Sequence, residues 1–246
     1  GLRLSDPILD EMVSMEATDP AQIEALLKRP GLTEAVLDRI EVLNPELNCF
    51  CVVDAERALA QALESEARWA KGAPAGLVDG IPVSIKDLVL AKGWPTLKGS
   101  RTIDPDQAWD EDGPATARLR EHGAVILGKT TTPEFGWKGI TDSPLTGITR
   151  NPWNTALSCA GSSGGSAVAL ATGMAWIASG SDLGGSLRNP ASFCGIVGFR
   201  PSIGTIPTDP GDMAFYRLAV EGPMARNVGD VAMLLDVMAG RHPKDP

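Results

Sequence analysis

The sequence predicts an α/β fold in which helices pack against a largely parallel or mixed sheet. Short apolar segments typical of strands alternate with segments of helical periodicity along the 246 residues. The hydrophobic fraction of 43% and the charged fraction of 22% are ordinary for a soluble globular protein. No internal repeat or low-complexity linker divides the chain, whose length suits one large domain or two small ones.

The first third of the chain predicts two strands and several helices. Ala21–Leu43 has the pattern of two short helices, broken at residues 29–31, which read Arg-Pro-Gly. Cys49–Val53 is apolar and predicts a strand, and Ala55–Lys71 has the periodicity of a helix. Ile81–Lys86 predicts the next strand, which ends on a lysine.

The remaining elements continue the alternation. Ala115–His122 predicts a helix, followed by a strand over residues 124–128. Ser166–Thr172 predicts a helix and Ala175–Ser179 a strand, and Asn227–Met238 predicts the last helix.

Composition excludes several classes of function. A net charge of −9 and a pI near 4.8 argue against direct binding of nucleic acid, which needs a basic surface. No apolar run is long enough to span a bilayer, and the N-terminus lacks a secretory pattern. Four cysteines do not make a disulfide framework in a chain of this length, so we expect structural thiols and a cytoplasmic location. The acidic residues 104–112 lack the spacing of an EF-hand loop, and we expect neither a metal nor a cofactor.

Two turns rich in glycine and serine stand within residues 161–186, GSSGGSAVALATGMAWIASGSDLGGS. Neither has the Gly-Lys-Ser/Thr ending of a phosphate-binding loop. The first turn matches a nucleophile elbow centred on Ser163, for which His242 is the only downstream histidine. A third hypothesis is a serine nucleophile activated by a neutral lysine, for which Lys86 at a strand end is the candidate.

Several blocks, taken together and in order, resemble the amidase signature family. They are GIPVSIKD from Gly80, GKTTTPEF from Gly128, TRNPWN from Thr149, GSSGGS from Gly161, GSDLGGSLRNPASFCG from Gly180 and VGFRPSIG from Val197. The resemblance covers about residues 37–240. It implies a mixed central sheet covered by helices on both faces, and hydrolysis of a small carboxamide through an acyl-enzyme.

The resemblance also implies roles for individual residues. The catalytic residues would be Lys86 as base, Ser162 as a bridging serine that follows a cis peptide bond, and Ser186 as nucleophile. The backbone N–H groups of the turn before the nucleophile would form the oxyanion hole, at Leu183, Gly184, Gly185 and Ser186. Ser163, Asp182 and Arg188 would support these groups, and Gly136 and Trp137 would line the acyl pocket.

Members of the family continue well beyond the position of Pro246. We therefore expect a single amidase signature domain over residues 1–246 that lacks its C-terminal part, with a homodimer or a C-terminal segment to complete it. The same motifs occur in the amidotransferase subunit that works with partner subunits on charged transfer RNA, and this alternative stays open. A catalytically inactive fragment or binding scaffold is the alternative of a different class.

Overall fold

The structure is a computed structural model that describes residues 31–208, 218–243 and 245. Its centre is a six-stranded mixed sheet. In chain order the strands are β1 (Phe50–Val53), β2 (Pro82–Lys86), β3 (Val125–Thr130), β6 (Ile177–Asp182), β7 (Val197–Gly198) and β8 (Val220–Ala225). Their spatial order is β1-β3-β2-β6-β8-β7. A separate ribbon consists of β4 (Asp142–Ser143) and β5 (Gly147–Ile148).

Six α-helices lie in the described ranges and flank the sheet. They are α1 (Leu32–Leu47), α2 (Ala55–Ala70), α3 (Pro114–Glu121), α4 (Gly164–Ala171), α5 (Arg188–Cys194) and α6 (Val228–Met238). Helix α2 packs on β3, α6 packs on β8, and α4 contacts the four strands β2, β3, β6 and β8. A bilayer span would need a longer apolar helix than any in the described ranges.

Helix α4 lies against the centre of the sheet because its side chains are small. Residues 164–170 are all buried. A Cβ atom on Gly164 would lie 2.2 Å from the Thr141 hydroxyl, and one on Gly165 would lie 2.5 Å from the backbone nitrogen of Thr131. These two glycines therefore let the helix begin directly after Ser163, two residues before the predicted start.

The predicted fold class is confirmed, and most element boundaries agree within a few residues. The predicted helix over residues 55–71 corresponds to α2, and the second of the two predicted N-terminal helices corresponds to α1, which extends to Leu47. The first of those helices lies outside the described residues. Strand β6 extends to Asp182, three residues past the predicted end.

The parallel arrangement of β2 and β6 determines where chemistry can occur. Val83 pairs with Ile177 and Ser84 with Ala178, so both strands run in the same direction and end at the same edge of the sheet. Lys86 is the last residue of β2, and Asp182 is the last residue of β6. In sheets with parallel strands, ligands bind outside the carboxyl ends of the strands. The two glycine- and serine-rich turns also lie at this edge.

Candidate active site

Lys86 is a fully buried lysine surrounded by hydroxyl groups. Its Nζ atom lies 2.7 Å from Ser162 Oγ, 2.8 Å from Ser163 Oγ and 2.9 Å from Ser181 Oγ. These serines come from the turn before α4 and from the end of β6. The structure thus brings together two of the three sequence-predicted catalytic residues, Lys86 and Ser162.

The surroundings of Lys86 favour the neutral amine. Burial lowers the pKa of its ammonium group to about 7, although the negative charges of Asp182 and Glu221 act in the opposite direction. A neutral amine accepts one hydrogen bond and donates two. The Ser163 hydroxyl donates to the Ser181 carbonyl at 3.2 Å, so towards Lys86 it is an acceptor. Ser162 and Ser181 are therefore the hydroxyls able to donate a proton to Nζ.

Ser162 is held on a turn whose backbone is closely packed. The peptide bond between Gly161 and Ser162 is cis, as the family resemblance implied. A Cβ atom on Gly161 would lie 2.8 Å from the carbonyl carbon of Ile140, which leaves room only for glycine. The Thr141 hydroxyl donates to the Ala160 carbonyl at 2.8 Å. These contacts fix the Ser162 side chain towards Lys86.

Asp182 organises the second turn, which leads from β6 to α5. Its buried carboxylate accepts hydrogen bonds from the N–H groups of Gly185 at 2.8 Å and Leu187 at 3.1 Å. It also forms ion pairs with Arg188 and Arg200, each at 3.0 Å. Burial alone would raise the pKa of this carboxyl, but the Arg188 and backbone hydrogen bonds outweigh it and hold the pKa well below its usual range. Asp182 is therefore an anion that braces the turn.

Ser186 lies on this braced turn and is half-buried. Its carbonyl accepts a hydrogen bond from the Ser163 N–H at 3.2 Å, which joins the two turns. Ser186 and Ser162 line the same cavity of about 330 Å³. The hydrogen bonds among the described residues do not include one between these two hydroxyls, so the contact that a proton relay requires is not formed in this structure.

The predicted oxyanion-hole groups differ in their hydrogen bonding. The N–H of Gly185 is engaged by Asp182. The N–H groups of Leu183, Gly184 and Ser186 have no hydrogen-bond partner among the described residues. Leu183, Gly184 and Ser186 all line the cavity. Three of the four predicted donors are thus available to a ligand.

Gly136 and Trp137, the predicted pocket residues, also line the cavity. They belong to a 3₁₀ turn, Glu134–Gly136, and its C-cap. Gly136 has a φ of 69°, and a Cβ atom there would lie 2.7 Å from the Leu88 side chain and 3.4 Å from Ser162 Oγ. Glycine is needed because the turn approaches the candidate catalytic serine so closely.

Ser163 and the histidines do not form the nucleophile-elbow site that the sequence left open. The Ser163 side chain is fully buried, and its hydroxyl is engaged by Lys86 and by the Ser181 carbonyl. The residues that line the cavity do not include His122 or His242. Ser163 therefore supports Lys86 in this structure.

Sequence reasoning missed two serines that contact Lys86. Besides Ser181 at Nζ, Ser179 Oγ accepts a hydrogen bond from the Lys86 backbone N–H at 3.0 Å. Residues two apart on a strand share one face. A strand predicted to continue to Asp182 would have placed Ser179 and Ser181 together beside β2.

A buried ion pair next to Lys86 was also missed. Lys129 Nζ lies 2.7 Å from Asp87 Oδ1, and both side chains are buried. Lys129 also donates to the hydroxyl of Thr96 and to the Pro95 carbonyl. The pair compensates the charge of Asp87 directly beside Lys86, and it holds the loop that follows β2.

Comparison with known proteins identifies the family. The Amidase family model matches residues 31–246, and the chain belongs to the amidase signature family. It is 41% identical over 219 residues to an indoleacetamide hydrolase of Bradyrhizobium diazoefficiens, which covers 87% of this chain and 42% of that protein. It is 43% identical over 216 residues to a glutamyl-tRNA(Gln) amidotransferase subunit of Nostoc punctiforme, which covers 87% of this chain and 44% of that protein.

Solved structures give the same result for the fold. The native peptide amidase from Stenotrophomonas maltophilia superimposes with a TM-score of 0.85 at 34% identity, over 95% of this chain and 50% of that one. The chain therefore spans about half the length of the relatives that it matches.

Proposed function

We propose that the protein hydrolyses a carboxamide to a carboxylate and ammonia through an acyl-enzyme on Ser186. The observation that carries the proposal is the buried amine of Lys86, 2.7 Å from a serine hydroxyl that opens into the same cavity as Ser186. A serine hydroxyl is a weak nucleophile until a base takes its proton, and a lysine with a pKa near 7 is such a base at neutral pH. Similarity to an indoleacetamide hydrolase supports the assignment.

The proposed reaction has two halves. Ser186 Oγ attacks the amide carbon, and its proton passes through the Ser162 hydroxyl to Lys86 Nζ. The tetrahedral intermediate collapses when the C–N bond breaks, and the same relay returns the proton to the departing ammonia. Water then attacks the acyl-enzyme, gives its proton to the relay and releases the carboxylate and free Ser186.

Backbone donors of the turn would stabilise the oxyanion of each tetrahedral intermediate. The three N–H groups without a partner among the described residues, at Leu183, Gly184 and Ser186, are suited to this role. One such donor contributes roughly 3–4 kcal/mol to transition-state stabilisation. The N–H of Gly185 would serve as a fourth donor only by exchanging its bond to Asp182.

A second candidate function is that of one component of an amidotransferase. The 43% identity to the Nostoc protein favours it, because such a protein would pass ammonia to a charged transfer RNA together with partner subunits. Ammonia released from simple amides by the full chain alone would favour the hydrolase. Ammonia release that requires partner subunits would favour the amidotransferase.

The test is ammonia release from a panel of primary amides by the full chain and its Ser186→Ala variant. We expect the variant to lose turnover while it keeps the thermal unfolding temperature of the wild type. Ser202→Ala, on an exposed loop, is the matched control and should behave like the wild type. Near wild-type turnover in a folded Ser186→Ala variant would contradict the proposal.

A further inference from the structure

Large apolar side chains are exposed around the cavity that contains Ser186. Phe135, Trp137 and Leu183 line it and are 52%, 82% and 46% exposed, and Leu88 lines it as well. A single exposed apolar side chain is ordinary on a protein surface. Four that converge on one concave site beside a nucleophile indicate a binding surface for an apolar group.

The two aromatic side chains are carried on a fixed backbone. The Phe135 N–H donates to the Lys98 carbonyl at 2.7 Å, and the Trp137 N–H donates to the Glu134 carbonyl at 3.1 Å. The Glu134 carboxylate in turn accepts a hydrogen bond from the Ser100 hydroxyl at 2.8 Å. Aromatic surface presented in this way contributes to binding at a low cost in conformational entropy.

Charge and volume restrict what this surface would bind. Among the described residues that line the cavity, Lys138 is the one charged side chain, and its ammonium group is paired with Asp142. Arg188, the nearest other cation in sequence to Ser186, is paired with Asp182. An apolar cavity of roughly 150 Å³ accommodates benzene, so about 330 Å³ leaves room for a ring beside a carboxamide.

We propose that this cavity selects uncharged primary amides whose acyl group carries an aromatic ring. The ring packs against Phe135, Trp137 and Leu183, which places the carbonyl carbon at Ser186. An acyl group with a free carboxylate meets no unpaired cation among the described lining residues and is disfavoured. This inference rests on the proposed amide hydrolysis and names its substrate class.

The first experiment compares kcat/KM of the full chain for phenylacetamide, acetamide and glutamine. We expect phenylacetamide to exceed both others by about tenfold or more, the scale of discrimination that an apolar pocket provides. Trp137→Ala should reduce the ratio of phenylacetamide to acetamide by about tenfold. Trp153→Ala is the matched control, since Trp153 is 72% exposed and is not among the cavity-lining residues, and it should leave the ratio unchanged.

A binding measurement separates failure of this inference from failure of the proposed function. Calorimetry on the folded Ser186→Ala variant should show phenylacetamide binding about tenfold or more tightly than acetamide, and Trp137→Ala added to it should remove the difference. Equal binding of the two amides, or tighter binding of glutamine, overturns the substrate class whether or not the wild type is active. Selective binding of phenylacetamide without hydrolysis would support the class and overturn the proposed hydrolysis.

Discussion

At the scale of single residues, the burial of Lys86 determines its chemistry. An exposed lysine is a cation at neutral pH, with a pKa near 10.4 in model peptides. In this structure, burial at the end of β2 lowers the pKa to about 7. Three serine hydroxyls then surround an amine that is a base and an acceptor in the physiological range.

This pKa predicts the pH dependence of turnover. Below about pH 7 Lys86 is a cation and cannot take a proton, whereas above about pH 7 it is neutral. Turnover should therefore rise with pH, by about tenfold for each unit below the pKa, and reach a plateau above it. The measurement is turnover from pH 5 to 9 for the wild type, Lys86→Met and Lys86→Arg. Both variants should lose turnover, because neither side chain releases a proton in this range.

Histidine provides the control for this prediction, because an ordinary imidazole titrates near pH 6.5. His122→Gln and His242→Gln should each keep the rise near pH 7. An active Lys86→Arg variant with an unchanged pH profile would show that Lys86 acts only through its charge or its packing.

At the scale of elements, the turn between β6 and α5 depends on an arginine from outside it. Arg200 follows β7, and its guanidinium contacts both the carboxylate and the backbone carbonyl of Asp182. It also donates to the Leu218 carbonyl at 2.9 Å, just before β8. Arg200 therefore ties the turn that carries Ser186 to the neighbouring strands, as a positioning residue.

Removal of this tie should impair chemistry more than binding. We expect Arg200→Met to lower kcat by about tenfold or more with little change in KM, because misplacement of a reacting group reduces the rate strongly. Arg200→Lys should recover part of the loss, since an ammonium group still pairs with Asp182. Arg101→Met, at an exposed position, is the control. A loss of thermal stability that accounts for the whole effect would assign Arg200 a purely structural role.

The close packing of α4 makes a second prediction at this scale. In Gly165→Ala the new methyl group would lie 2.5 to 2.6 Å from three Thr131 atoms, two of them backbone. Backbone cannot move away cheaply, so we expect the free energy of unfolding to fall by about 1–3 kcal/mol. Denaturant titration measures this change. Gly139→Ala is the control, because a Cβ atom there meets nothing within 4 Å; an equal loss in both variants would contradict the explanation.

At the scale of the whole molecule, the sheet gathers residues that are far apart in sequence. Lys86 and Ser162 are separated by 76 positions and meet because the turn before α4 lies over the end of β2. The alternation of strand and helix patterns predicts the α/β class, and the ordered motifs predict the family. Both come from features that are local in the sequence.

What the sequence does not predict depends on contacts between distant segments. Ser181 and Arg200 are ordinary polar residues until the pairing of β6 with its neighbours places them beside Lys86 and Asp182. The engagement of the Gly185 N–H by Asp182 likewise depends on the backbone path of one turn. Leu88 joins the cavity only because Gly136 lets two loops approach each other. Local pattern carries no signal for these contacts.

The central claim, that Ser186 is the nucleophile, is tested most directly by mapping a covalent adduct. The full chain is treated at pH 8 with a fluorophosphonate, whose phosphorus bonds to an activated serine oxygen as fluoride leaves. Peptide mass spectrometry then locates the phosphonyl group. We predict a single adduct on Ser186, which forms far more slowly in Lys86→Met and is absent in Ser186→Ala. An adduct on Ser163, or no adduct on the folded wild-type chain, would contradict the account.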